Sequence, residues 1–417
     1  MRPITETGDA WLYLNAVCER PTAAMWDFVD AFGPIEAAER IKANDTENFR
    51  DVAAQTAARA GKVDPTALRA LGEQYDARFL CPANPDWPAE AFSALDHPRQ
   101  YGLDHSGVEA GAALPLAPFG LWVRGGPDLP NFAAARTASI VGTRDLTSYG
   151  RVVASELAEA CAGEDIAVIS GGALGVDIAA HLGALSADGI TTAVLACGVD
   201  KLYPSANEQS LRRVAASGGA ISEYPPGTGV TRYRFLDRNR IIAALGSVTV
   251  VVEAAMRSGA LSTARWANAM NRSVFAVPGP IHSRASAGCN NLLGMYALPL
   301  ASTSEIGEVV STLGFERSAE PNPYDVGAGK FTRRPGSPAD WMTEEQSRVF
   351  EALRGDCMQD STKIAWESGV PESRVKRHLG TLKRFGFAVK TGGRWQLPTR
   401  RDQHQQSLPL NENGSLF

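Results

Sequence analysis

Residues 137–198 read TASIVGTRDLTSYGRVVASELAEACAGEDIAVISGGALGVDIAAHLGALSADGITTAVLACG. Three apolar runs, TASIV before Gly142, AVIS at 167–170 and TTAVLACG at 191–198, are separated by helical stretches at 147–162 and about 174–187. The runs are continuous rather than alternating, so each strand is expected to be buried on both faces, as in a parallel sheet covered by helices. GAISEY (219–224), SVTVVVE (247–253) and SVFAVPG (273–279) extend the pattern. The expected fold is α/β, a Rossmann-like, doubly wound, mainly parallel sheet over residues 136–313.

Outward from this core the chain changes character. Residues 1–80 read as a small helical domain of the SAM-like kind. Trp11, Leu14 and Val17 form one stripe and Met25, Phe28, Val29 and Phe32 another, stopped by Gly33-Pro34. Residues 81–135 are rich in Pro and Gly, with short runs such as Gly120-Leu121-Trp122-Val123, and read as an irregular lead-in. Residues 314–340 lose periodicity and read as a linker. Residues 341–398 read as helices at 343–354, 361–368 and 371–385, then a hairpin turning at Gly392-Gly393, the order of a winged helix-turn-helix. The last helix sets Val375, Leu379, Leu382 and Phe385 on one face and offers Arg374, Lys376 and Arg377 on others, either to duplex DNA or as the solvated surface of a protein-interaction module. Residues 399–417 read as a disordered polar tail.

Composition narrows the function. The 417 residues are 44% hydrophobic and 21% charged, the balance of a globular protein. The 41 Lys+Arg and 46 Asp+Glu leave a net charge of −5, which argues against a uniformly basic nucleic-acid coat but not against a local patch. Charge is indeed uneven. Residues 228–272 carry seven basic and two acidic side chains, and residues 371–401 nine and one. The six cysteines form no CxxC pair, which argues against a zinc site or a disulfide framework. The start lacks the pattern of a signal peptide, and no run reaches the roughly 20 apolar residues of a membrane span. A cytoplasmic protein is expected, with no metal and no cofactor.

Ligands of doubly wound sheets bind at the carboxyl ends of the strands. Three such ends suit anions: Gly142-Thr143-Arg144, Ser170-Gly171-Gly172 and Ser258-Gly259, the last two ahead of helices. Arg238-Asn239-Arg240 can add two guanidinium groups, and Lys201 with Tyr203 a cation and a stacking ring. Neither GxxxxGK[ST] nor a post-strand GxGxxG occurs, so ATPase and ordinary dinucleotide-binding readings lose support. No nucleophile, base and orienting group can be named as a set.

The blocks IVGTRDLTSYG (140–150), ISGGALGVDIAAHLGAL (169–185), AVLACGVDKLYPSANEQ (193–209), ISEYPPGT (221–228), FLDRNRIIAALGSVTVVVEA (235–254), SGALSTARWA (258–267) and FAVPGPIHSRASAGCNNLL (275–293) resemble, in order, the DNA-processing protein A family (DprA, also called Smf). The resemblance implies a non-enzymatic protein, commonly dimeric, that binds single-stranded DNA and helps load RecA recombinase onto it during recombination and natural transformation. By motif position it places Arg144, Ser170, Gly171, Gly172, Lys201, Tyr203, Arg238, Asn239, Arg240, Ser258 and Gly259 along the DNA. Two departures stand out. SGGALGVD puts Leu174 where the family has an arginine, and VCERPTAAMW replaces the glycine hairpin of a helix-hairpin-helix, so no DNA contact is expected there.

Two rival readings are a nucleotide-acting enzyme, similar to phosphoribohydrolases, and a winged-helix transcription regulator. The first lacks its PGGxGT-x-x-E loop, since Ser258-Gly259-Ala260-Leu261-Ser262-Thr263 stands there. The tail adds a feature of its own. Gln405-Gln406-Ser407-Leu408-Pro409-Leu410 resembles the peptides that dock bacterial repair proteins on the DNA sliding clamp, with Gln405, Leu408 and Leu410 as anchors.

Overall fold

A computed structural model describes residues 4–96, 116–126, 136–313 and 342–398. The linker, about half of the lead-in and the tail with Gln405, Leu408 and Leu410 lie outside the described residues.

Nine strands form one mixed sheet: β1 (Ala77–Leu80), β2 (Leu121–Arg124), β3 (Thr137–Val141), β4 (Ala167–Gly171), β5 (Thr191–Val194), β6 (Ala220–Ser222), β7 (Val248–Val251), β8 (Ser273–Ala276) and β9 (Leu298–Pro299). Their spatial order is β1-β2-β6-β5-β4-β3-β7-β8-β9. The strands from β6 to β9 are parallel, while β1 and β2 are antiparallel additions at one edge. This corrects the reading of residues 81–135 as only an irregular lead-in. Leu121, Trp122 and Val123 are fully buried between β1 and β6, and a four-residue run without alternation gives little periodic signal.

Alternate residues of each parallel strand serve opposite faces, which explains the continuous apolar runs. Ala138, Ile140, Val168, Val248 and Val250 pack beneath helices Ser148–Gly163 and Val176–Ser186. Val141, Ile169, Val194 and Val251 pack against helices Arg232–Leu245 and Ala260–Ala269. Burying each such aliphatic side chain contributes about 1.5–3 kcal/mol. The buried hydroxyls of Thr137 and Ser139 donate to the carbonyls of Leu245 and Ile242, at 2.8 and 2.7 Å. The carboxyl end of Arg232–Leu245 is thereby tied to the start of β3, and its amino end is aimed at the strands' carboxyl ends.

The amino-terminal helices, Thr7–Val17, Ala23–Lys42, Arg50–Thr56 and Pro65–Glu73, enclose their own core around Tyr13, Leu14, Phe28 and Phe119. Gly33, at φ 73° and ψ 160°, is not helical and divides the span Ala23–Lys42 into two helices at a kink, so the first of them stops there as expected. The carboxy-terminal unit has helices Glu344–Ala352, Ser361–Ser368 and Glu372–Arg384, then a hairpin pairing Val389–Thr391 with Arg394–Gln396. Its core is Val349, Ile364, Val375, Leu379, Leu382 and Trp395.

This unit is docked on the rest of the chain through buried charge. Glu19, 6% exposed, accepts hydrogen bonds from Arg59, from Nε of Arg234 (2.6 Å) and from the hydroxyl of Tyr233 (3.0 Å). Burial alone would raise the Glu19 carboxyl, but the guanidinium groups of Arg234 and Arg59 outweigh it and hold the carboxyl well below its usual range. The same two arginines reach across to the carboxy-terminal unit. Arg59 donates to the carbonyl of Trp366, and Arg234 to that of Glu367 at 2.7 Å.

His181 couples the fold to pH. It is fully buried, with Nε2 2.9 Å from the carbonyl of Gly171 and Nδ1 2.6 Å from Thr191 Oγ1. Burial lowers its pKa to about 4. The folded state therefore resists protonation that the unfolded chain accepts below about pH 6.5, so this contribution is intact above that pH and is lost as pH falls toward 4. Urea unfolding across this range should show about 3 kcal/mol of lost stability that His181→Gln lacks. Parallel pH profiles for the two proteins would contradict the assignment.

Candidate nucleic-acid interface

The direction of strand succession reverses between β3 and β7, so the crevice of a doubly wound sheet opens at the carboxyl ends of these strands. Gly142 leaves β3 with no room for a side chain: a Cβ there would lie 2.4 Å from Val176 and 2.8 Å from the carbonyl of Glu253. Beyond it, Arg144 is exposed, and its guanidinium lies 4.8 Å from the ring centre of Phe235. Phe235, half-buried on the first turn of helix Arg232–Leu245, has its ring centre 6.1 Å from that of Tyr203. Tyr203 is 45% exposed, and two residues earlier the exposed Lys201 donates to the carbonyl of Gly227 at 3.2 Å. Lys201, Tyr203, Phe235 and Arg144 thus form a row of two neighbouring rings with a cation at each end, drawn from three separate connections. Phe235 was not among the expected site residues. Its only sequence signal is its place one helical turn before Arg238.

The expected triplet Arg238-Asn239-Arg240 divides into three roles. Arg238 is 4% exposed, donates from Nη1 to the carbonyl of Val194, and forms the floor beside Gly171 and Asp177. Its Nε has no hydrogen-bond partner among the described residues. Asn239 donates to the carbonyl of Gly259 at 3.2 Å and braces the Ser258–Gly259 turn. Arg240 is fully buried and grips Glu223 with two hydrogen bonds of 2.9 and 2.6 Å. Its expected phosphate contact is therefore corrected: the guanidinium is consumed inside the protein.

The Ser170-Gly171-Gly172 turn is also less open than expected. All three residues are buried, and the Ser170 hydroxyl donates to the carbonyl of Ile140 at 2.6 Å. The backbone N–H of Ala173 already reaches Asp177 Oδ2 at 3.4 Å. Burial raises the Asp177 carboxyl, against the pull of Arg238 and Arg144. Gly171 is required here, because a Cβ would lie 2.2 Å from Arg238 and 2.4 Å from Asp177. Across the crevice, Glu253 receives the N–H and hydroxyl of Thr147, at 3.1 and 2.6 Å, and so occupies the start of helix Ser148–Gly163. Gly259 is open, with nothing within 4 Å of a Cβ, and Arg257 beside it is exposed. Leu174, the departure noted above, is 46% exposed on the rim.

Reactive groups are scarce. Five of the six cysteines are buried, and burial pushes the thiols of Cys18, Cys161, Cys197 and Cys289 up to about 12. Among the described residues, no cluster of three metal-ligating side chains occurs, and no helix is long and apolar enough to cross a membrane.

The carboxy-terminal basic helix differs from expectation. Arg374 Nη1 pairs with Glu345 at 2.5 Å, and Nη2 points to the carbonyl of Ala54 in the amino-terminal unit at 3.5 Å. The expectation of Arg374 as a free duplex contact is corrected accordingly. Lys376 pairs with Glu372 at 2.8 Å on the exposed face, and Arg377 is exposed.

Residues 104–311 match the family described as DNA recombination-mediator protein A. The putative DNA processing protein DprA of Mycobacterium tuberculosis is 40% identical over 398 residues, covering 94% of this chain and 95% of that protein. The DNA processing protein DprA of Streptococcus pneumoniae is 37% identical over 177 residues, covering 42% of this chain and 61% of that one. Its crystal structure aligns with 76% of this chain and all of its own, at 24% identity and a TM-score of 0.59. The chain belongs to the DprA family.

Arg240→Ala should leave Glu223 buried without its partner and cost about 3–5 kcal/mol in urea unfolding. Arg144→Ala, at an exposed site, should fall within about 0.5 kcal/mol of the parent. Equal stabilities for the two variants would contradict the division of roles.

Proposed function

We propose that the chain binds single-stranded DNA across the carboxyl end of the sheet and acts, without catalysis, as a mediator that hands the strand to a RecA-class recombinase. The observation that carries this reading is the row Lys201, Tyr203, Phe235, Arg144. Rings accept any base by stacking, and the cations at either end of the pair follow the phosphates, the combination suited to strands of unspecified sequence. Arg238, with its uncommitted Nε, lies beneath the row, and Ser258, Gly259 and Arg257 continue the path beyond the switch. Family membership agrees with the mediator role. The enzyme reading has no counterpart in the crevice, where the carboxylates Asp177 and Glu253 are engaged with backbone N–H groups.

Homodimerisation, the RecA contact, a cytoplasmic setting and a part in transformation are proposals that follow from the same membership. The clamp peptide at Gln405, Leu408 and Leu410 is a separate proposal that rests on the tail sequence and not on the family. A peptide of residues 401–417 should bind purified sliding clamp, and changing Gln405 and Leu408 to Ala should abolish binding. No interaction at high micromolar clamp removes that partner.

Binding of fluorescent oligo-dT should weaken with salt, and Arg144→Ala should reduce the logarithmic slope by about 0.7. Phe235→Ala should cost about 1–3 kcal/mol on every sequence. Unchanged affinity and slope in a variant combining Arg144→Ala with Phe235→Ala, or tighter binding of a specific duplex, would overturn the reading.

A further inference from the structure

We propose that the amino end of helix Arg232–Leu245 is a phosphate subsite of the single-stranded DNA path, and that Glu351 of the docked carboxy-terminal unit occupies it until DNA displaces it. The inference rests on the binding reading above and adds a site to it. The backbone N–H of Tyr233 donates to Glu351 Oε2 at 3.2 Å, and the N–H of Arg232 is directed to the same carboxylate. A helix amino end with free N–H groups and a positive dipole accepts carboxylate and phosphate alike.

Three further observations point to an anionic ligand beyond the helix end itself. Thr231 is the N-cap, yet its side chain makes no capping bond, and its hydroxyl, on a residue 8% exposed, has no partner among the described residues. A phosphate oxygen would satisfy it. A cation of the core flanks the position, the exposed Arg232, whereas Arg348, 5.0 Å from the ring centre of Tyr233, belongs to the docked unit and leaves with Glu351. The present occupant is an uneasy one, because burial raises the Glu351 carboxyl despite both backbone N–H groups. Phe235 follows two residues later, so the subsite adjoins the cation and ring row.

The remaining contacts of the docked unit suit exchange. Its acceptors for Arg59 and Arg234 are the carbonyls of Trp366 and Glu367, neutral groups, and beside Arg348 over Tyr233 the Glu351 carboxylate is a charged tether whose loss weakens docking. DNA binding and docking then compete for one site, and each weakens the other by the same factor.

The test uses the full chain. Fluorescent oligo-dT binding is measured for the parent, Glu351→Gln and Thr231→Val, and a dye on Cys357, the exposed cysteine of the carboxy-terminal unit, reports docking by its anisotropy. Glu351→Gln should tighten oligo-dT binding roughly three- to tenfold. Thr231→Val should weaken it, and saturating unlabelled oligo-dT should increase the mobility of the Cys357 dye in the parent. A parent that binds oligo-dT while both variants match its affinity, or while the dye stays unchanged, overturns this inference alone. A parent that binds no oligo-dT overturns it together with the reading on which it rests.

Discussion

Glu19 is a carboxylate with almost no access to water, and it is held in place by groups from separate parts of the chain. Arg59 comes from the amino-terminal unit, and Arg234 and Tyr233 from the helix that enters the sheet's crevice. Burying one carboxylate and two guanidinium groups is costly unless all are satisfied, and here each arginine also finds a carbonyl in the carboxy-terminal unit. Removing the central charge would leave two buried cations unbalanced, a loss of about 3–5 kcal/mol. The three units are thereby joined through one buried charge cluster.

Helix Arg232–Leu245 carries that constraint into the site. Along a few turns it commits Arg234 to Glu19, Asp237 to Arg20 (2.9 Å), Arg238 to the β5 carbonyl, Asn239 to the Ser258 turn and Arg240 to Glu223. Its other end is fixed to β3 by Thr137 and Ser139. What remains for a ligand is the first turn, with Phe235 facing Arg144 and Tyr203. Because the helix is pinned at both ends, the row of rings and cations is preorganised, and little ordering is left to offset when a strand binds.

Much of this was legible in the sequence, for a physical reason. Strands buried on both faces leave continuous apolar runs, so β3, β4, β5, β7 and β8 and the helices between them were readable, as were the glycines where backbone must approach backbone. The order of helices and hairpin in residues 342–398 was readable from the spacing of Val375, Leu379 and Leu382. Other features leave no periodic trace. β2 is too short, and its pairing with β6 spans nearly a hundred residues. Arg238 and Arg240 look equivalent in RNR, yet Glu223, just past the end of β6, decides which is paired inside the protein. Phe235 reads as an ordinary helical apolar residue until the fold brings Tyr203 and Arg144 beside it. The docking of the carboxy-terminal unit was hidden because its acceptors for Arg59 and Arg234 are backbone carbonyls, which no residue type reports.

The central claim is that single-stranded DNA runs over the ring and cation row at the carboxyl end of the sheet. Photo-crosslinking of oligonucleotides carrying bromodeoxyuridine, with adducts mapped by mass spectrometry, tests it most directly. The account predicts adducts at Tyr203 and Phe235 that do not depend on flanking sequence. Adducts confined to helix Glu372–Arg384 or to the amino-terminal helices, with none on either ring, would contradict it.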